Sequence, residues 1–188
     1  MTEVIKKSLN LRALGIGAVV AVVLLAGLFT QLRSTSENFN DADVMFAQMM
    51  MPHHEQAIEM ATMALEPDRG ASRDLQDIAV AILDTQTSEV DQLRNYLSEW
   101  HAPSAHSHGD EMMQGVLSDD EMRSLGEKKQ QAFDRSWAKA MIRHHRGAIA
   151  MARDVLLAGK NTSLRTMAQG IITTQHREID QLRVIARR

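Results

Sequence analysis

The sequence predicts an all-α protein, an antiparallel four-helix bundle built from two copies of one helical hairpin and preceded by a single transmembrane helix. Three observations carry the prediction. A long stretch of the chain repeats itself, apolar residues recur three and four apart through four segments, and an uncharged run lies near the N-terminus. No segment alternates polar and apolar residues as a half-buried strand does.

The repeat is the firmest of these. Met50, His53, His54, Ala57, Ile58, Met60 and Ala61 return 91 residues later as Met141, His144, His145, Ala148, Ile149, Met151 and Ala152. Farther on, Ile82, Thr85, Gln86, Glu89, Asp91, Gln92 and Leu93 return as Ile171, Thr174, Gln175, Glu178, Asp180, Gln181 and Leu182 at an offset of 89. The two missing residues fall where Glu66-Pro67-Asp68-Arg69-Gly70 is matched by Ala158-Gly159-Lys160-Asn161, both turn-forming sequences. Each repeat is therefore a helix, a turn and a helix.

Apolar spacing predicts helices over 41–65, 71–100, 134–158 and 162–186. Asp41 or Asp43 and Asp134 are candidate N-caps, Gly70 and Gly159 candidate stops, and Ser118 with Glu121 forms a capping-box pattern that opens a shorter helix over 118–126. One hairpin cannot bury its own apolar face, whereas two related by a pseudo-twofold can. The chain thus divides into 1–33, a cytoplasmic tip and signal anchor, and 34–188, the bundle domain. Within the latter lie repeat one (41–100), a His- and Met-rich connector (101–117), the short helix and repeat two (134–188).

Lys6, Lys7 and Arg12 precede an uncharged run over 13–32 that Arg33 closes. About twenty residues make about 30 Å of helix, enough to span a bilayer. The positive-inside rule places the N-terminus in the cytoplasm and the bundle in the periplasm or extracellular space. Cleavage and secretion is the alternative, but Phe29, Gln31 and Leu32 fit a small-x-small cleavage site poorly.

Composition narrows the chemistry. The absence of Cys excludes disulfides, thiolate zinc sites, Cys nucleophiles and a lipoprotein anchor. With 13 Met and 8 His, thioether and imidazole are the only soft or borderline ligands, although Met also fills helical cores. Beyond Arg33 there are 17 basic and 23 acidic residues, net −6, so no nucleic-acid footprint exists. Residues 41–99 carry 3 bases and 12 acids, net −9, and 134–188 carry 11 bases and 4 acids, net +7. Opposite charge favours pairing of the halves, or head-to-tail association into a homo-oligomer; solvated faces are the plainer reading.

The first helix places Phe46, Met49, Met50, His53, Ala57, Met60, Ala61 and Ala64 on one face, and the third repeats it with Trp137, Ala140, Met141, His144, Ala148, Met151, Ala152 and Val155. His54 and His145, about 100 degrees round, are expected at the edge of the stripe, with Glu55, Glu59, Arg146 and Arg153 in solvent. On the partner helices Gln86 with Glu89 and Gln175 with Glu178 occupy positions where apolar residues are expected. Buried carboxylates are costly unless paired or coordinated, so these residues make either a metal site or a self-satisfied polar network. Imidazole with thioether suits copper, as Cu(I) or Cu(II), and imidazole with carboxylate suits zinc, iron or manganese. Pro52 is expected to kink the first helix beside His53. In the connector, His101, His106, His108, Met112 and Met113 form a possible accessory metal tract or an ordinary polar linker.

The pattern Met-x-x-His-His-x-x-Ala-Ile-x-Met-Ala, at 50–61 and again at 141–152, resembles the family of domain of unknown function 305. Phe133-Asp134 and the Gln175, Glu178, Ile179 pattern are similar to that family too, and the resemblance covers about 41–183. It implies an exported, ferritin-like four-helix bundle, and for some members copper binding through Met and His. Carried over by motif, the ligand candidates are Met50, His53, His54, Met60, Met141, His144, His145 and Met151, to which the stripe adds Glu89 and Glu178. Di-iron chemistry is not implied, because no Glu-x-x-His occurs. The expected function is copper binding or buffering, without enzymatic activity. A structural interaction bundle and a His/carboxylate metalloenzyme are the alternatives.

Overall fold

The computed structural model describes residues 38–104 and 113–188. The expected transmembrane run over 13–32, and His106, His108 and Met112 of the connector, lie outside them. Among the described residues no helix is long and apolar enough to cross a membrane. All regular structure there is helical: α1 (Asp41–Leu65), a 3₁₀ turn (Pro67–Arg69), α2 (Arg73–Glu99), α3 (Asp119–Gly126), α4 (Gln130–Ala158) and α5 (Thr162–Ala186).

Local chemistry sets the ends. The N-cap of α1 is Asn40 rather than Asp41 or Asp43: Asn40 Oδ1 accepts from the Asp43 N–H, and Asp43 Oδ2 accepts from the Asn40 N–H. This reciprocal pair satisfies two of the donors that a helix start leaves open. The helix runs on through Pro52 and ends at Leu65, because Glu66 precedes Pro67 and is held extended. Gly70 then takes a left-handed conformation, φ 59°. The Ser118–Glu121 capping box forms as expected, and α3 buries Met122 and Leu125.

Asp134 does not cap α4, which starts four residues earlier at Gln130. It is buried inside the helix, and its carboxylate accepts from the Ser72 N–H at 3.2 Å, ahead of α2. Asp43, its counterpart one repeat earlier, accepts from the Lys160 and Asn161 N–H groups at 2.9 and 3.2 Å, ahead of α5. Each hairpin thus closes the turn of the other. Gly159 is required by this contact and not by its dihedral, since its φ is −74° but a Cβ there would lie 2.4 Å from Asp43 Oδ1.

α1 packs along α2, α4 along α5, and the hairpins meet chiefly across α1 and α4. Two apolar clusters form the core. One contains Met60, Leu75, Ile82, Phe133, Trp137, Met141 and Leu182, and the other Phe46, Met50, Leu93, Leu97, Trp100, Leu164 and Ile171. Burying each such side chain contributes about 1.5–3 kcal/mol. Repeat-related residues fall in opposite clusters, Met50 in one and Met141 in the other. Along every long helix the passage from one cluster to the other crosses the His, Gln or Glu positions. The pseudo-twofold therefore runs through a polar layer at mid-bundle.

Candidate metal centre

His53 and His144 face each other across the α1–α4 contact, with ring centroids 3.8 Å apart and both residues essentially without solvent exposure. Burial, reinforced by His54 and then His145, pushes the His53 pKa down to about 3. Burial first, then His53, His145, His54 and Arg143, holds His144 well below its ordinary value. Both are neutral imidazoles at neutral pH, so each has one unprotonated ring nitrogen. His53 Nε2 donates to the Gln114 carbonyl at 3.2 Å.

His54 and His145 do not edge the stripe; both are fully buried. The cause is the partner helix. His54 Nε2 lies 2.8 Å from Glu89 Oε2, and His145 Nε2 lies 2.8 Å from Glu178 Oε2. A carboxylate only accepts, so Nε2 carries the proton and in the neutral ring Nδ1 carries the lone pair. This carboxylate–imidazole pairing is the one that orients metal-ligating histidines. Glu89 and Glu178 thereby occupy Nε2 of each ring and leave Nδ1 without a hydrogen-bond partner among the described residues. Glu55, Glu59, Arg146 and Arg153 are exposed, as expected.

Several buried polar atoms of this layer have no hydrogen-bond partner among the described residues. They are Nδ1 of His53, His54 and His145, both ring nitrogens of His144, the amide oxygen and nitrogen of Gln86, and the Gln175 oxygen. A buried polar atom left unpaired costs about 1–3 kcal/mol, and native interiors hold few. Clustered unprotonated imidazole nitrogens fit a copper ion chemically. Among the described residues, however, no three His, Asp or Glu side chains already stand at metal-binding spacing.

The methionines flank the layer on both sides. Met50, Met60 and Met141 are fully buried in the apolar clusters, and Met151 packs half-buried against the second. Of the connector candidates, His101 is exposed just beyond α2, with φ 51°. Met113 lines a surface groove with Pro52, Glu55, Gln56 and Glu59. Sequence reasoning missed the backbone of 113–118, which crosses α1 and α4 at the level of the central imidazoles.

The profile of the domain of unknown function DUF305 matches residues 43–186. The chain belongs to the DUF305 family. A DUF305 fragment from Deinococcus radiodurans superposes with a TM-score of 0.71 at 29% identity, covering 79% of this chain and 98% of that one. A DUF305 protein from Streptomyces coelicolor, described as secreted, superposes at 0.68 with 28% identity, covering 75% and 89%. CopM in its Cu(II)-bound form superposes at 0.65 with 28% identity, covering 77% and 95%, and CopM has also been solved with Cu(I) and with silver. No curated protein sequence matches the chain. Both His-His pairs of this DUF305 protein, at 53–54 and 144–145, lie within the matched region.

Proposed function

We propose that this DUF305 protein binds copper outside the cytoplasm, with His53, His54, His144 and His145 as the central ligands. The observation that carries the reading is that all four buried imidazoles keep a ring nitrogen with no hydrogen-bond partner among the described residues, with the His53 and His144 rings 3.8 Å apart. The solved copper and silver forms of CopM support it from outside the chain. Neutral His53 and His144 bind without first losing a proton, and Glu89 and Glu178 hold the other two rings by Nε2. Side-chain rotation within the layer closes the ligands on the ion. Met50, Met60, Met141 and Met151 are a further soft set at its borders. The apolar run over 13–32 supports a membrane anchor, and the secreted description of the Streptomyces relative supports an exported domain.

The closed His54–Glu89 and His145–Glu178 pairs favour one rival, a polar layer that only fixes packing. Titration of the full chain with Cu(I) and Cu(II) against a competing chelator separates the two. Copper binding by the full chain, lost when His53, His54, His144 and His145 are replaced together by Gln in a variant whose circular dichroism stays helical, is the expected result. Unchanged affinity and stoichiometry in that variant sinks the central site. Loss of binding only when His101, His106, His108, Met112 and Met113 are replaced moves the function to the connector.

A further inference from the structure

Some of the departures between the two hairpins fall where the connector crosses them. At the offset of 91, Gln56 becomes Gly147 and Pro52 becomes Arg143, while Met51, Glu55 and Glu59 become Ile142, Arg146 and Ala150. Gln56, Gly147 and Arg143 each meet the segment over 113–121. Gln56 grips the Leu117 backbone twice, its Nε2 donating to the Leu117 carbonyl and its Oε1 accepting from the Leu117 N–H, both at 2.8 Å. Arg143 makes a two-pronged contact with Glu121 at 2.7 and 2.8 Å. At Gly147 a Cβ would fall 1.7 Å from the Gln114 carbonyl oxygen, a collision with backbone that no rotamer relieves. Gly115, at φ 88°, in turn lies against the Arg143 carbonyl and the His144 backbone.

The carbonyl that Gly147 admits is the one that accepts from His53 Nε2. A carbonyl cannot donate, so this contact requires the proton on Nε2 and leaves the lone pair on Nδ1, the buried atom without a partner. His144, the symmetry mate, has neither nitrogen engaged. We infer that the 113–118 strap fixes the tautomer of His53, and that Gln56 and Gly147 are positioning residues that hold the strap over it. The duplicated site is thereby made unequal, with His53 committed to Nδ1 and His144 free to present either nitrogen. The consequence for copper rests on the function proposed above; the tautomer itself does not.

Full-length protein, labelled with 15N at histidine and kept free of metal, reports each ring through two-bond 1H–15N correlations, assigned with single His variants. In the native chain His53 is expected as the Nε2–H form. Gly147→Ala and Gln56→Ala are each expected to convert it to a mixture of tautomers, while His54 and His145 stay Nε2–H on their carboxylates. Cu(I) affinity should fall on the order of 10-fold in both variants. Gln56→Ala adds no bulk, so it keeps the test open if Gly147→Ala does not fold. An Nδ1–H form of His53 in the native chain, or an unchanged tautomer in Gln56→Ala, overturns the inference. A native chain that binds no copper while its tautomer responds to both variants defeats the copper reading and leaves the strap intact.

Discussion

His145 and Glu178 form a 2.8 Å pair inside the bundle, and His54 with Glu89 repeats it at the same distance in a wetter setting. The Glu178 side chain is 7% exposed and that of Glu89 14%. Water can replace a lost partner more readily at the second site. Glu178→Ala should therefore destabilise the fold by about 1–3 kcal/mol, the cost of an unsatisfied buried donor, and Glu89→Ala by less. Urea denaturation midpoints of the two variants test this, and an equal or reversed order would count against the asymmetry.

The central imidazoles make stability depend on pH. His53 has a folded pKa of about 3 against an ordinary 6.5, so between those values the unfolded chain binds more protons than the folded one. Its contribution is fully present above pH 6.5 and is lost as pH falls toward 3. His144 acts in the same direction. Together they should cost several kcal/mol between pH 7 and pH 4. Chemical denaturation across that range should show the decline, and His53→Gln should flatten it; a native slope no steeper than the variant's would falsify the assignment.

The reciprocal aspartates are the next target. Asp43 is fully buried and accepts from Asn40, Lys160 and Asn161, whereas among the described residues Asp134 reaches only the Ser72 N–H, with contacts of 3.2 and 3.3 Å. Asp43→Ala should cost about 2–3 kcal/mol and Asp134→Ala about 1, since hydrogen bonds to charged groups contribute about 1.5–3 kcal/mol and long ones less. Thermal melts of both variants provide the comparison.

Arg143 and Glu121 offer the opposite case. Arg143 draws the Glu121 carboxyl down to about 2, yet the two side chains are 47% and 46% exposed. Solvent screening limits such a pair to about 1 kcal/mol or less. Arg143→Ala should scarcely move the melting temperature, and a loss comparable to that of Asp43→Ala would show that the pair bears more of the fold than its exposure implies.

The helices were legible wherever the chain carries its own punctuation. α1 and α5 have the limits that Pro67, Gly159 and the apolar spacing predict. Asp134 misled because an acid ahead of an apolar run looks like a local cap, and its real partner lies in the other hairpin. The inward Glu89 and Glu178 could be read from the stripe alone. Full burial of His54 and His145 could not, since a helix packed against two neighbours buries an arc wider than the roughly 100 degrees of a simple stripe. The strap left only a faint trace, the replacement of Gln56 by Gly147, whose meaning depends on a backbone with no periodicity of its own.

The crossed aspartates carry one more consequence. Two like hairpins that each complete the other's turn obey the contact rule of an isologous dimer, in which a patch on one copy meets the same patch on its mate. Here residues 100–129 join the copies, so what would be a meeting of two molecules is a meeting within one. The seam, with the imidazoles that straddle it, is held by a tether whose effective concentration is set by chain length and not by protein abundance. Dilution cannot part it.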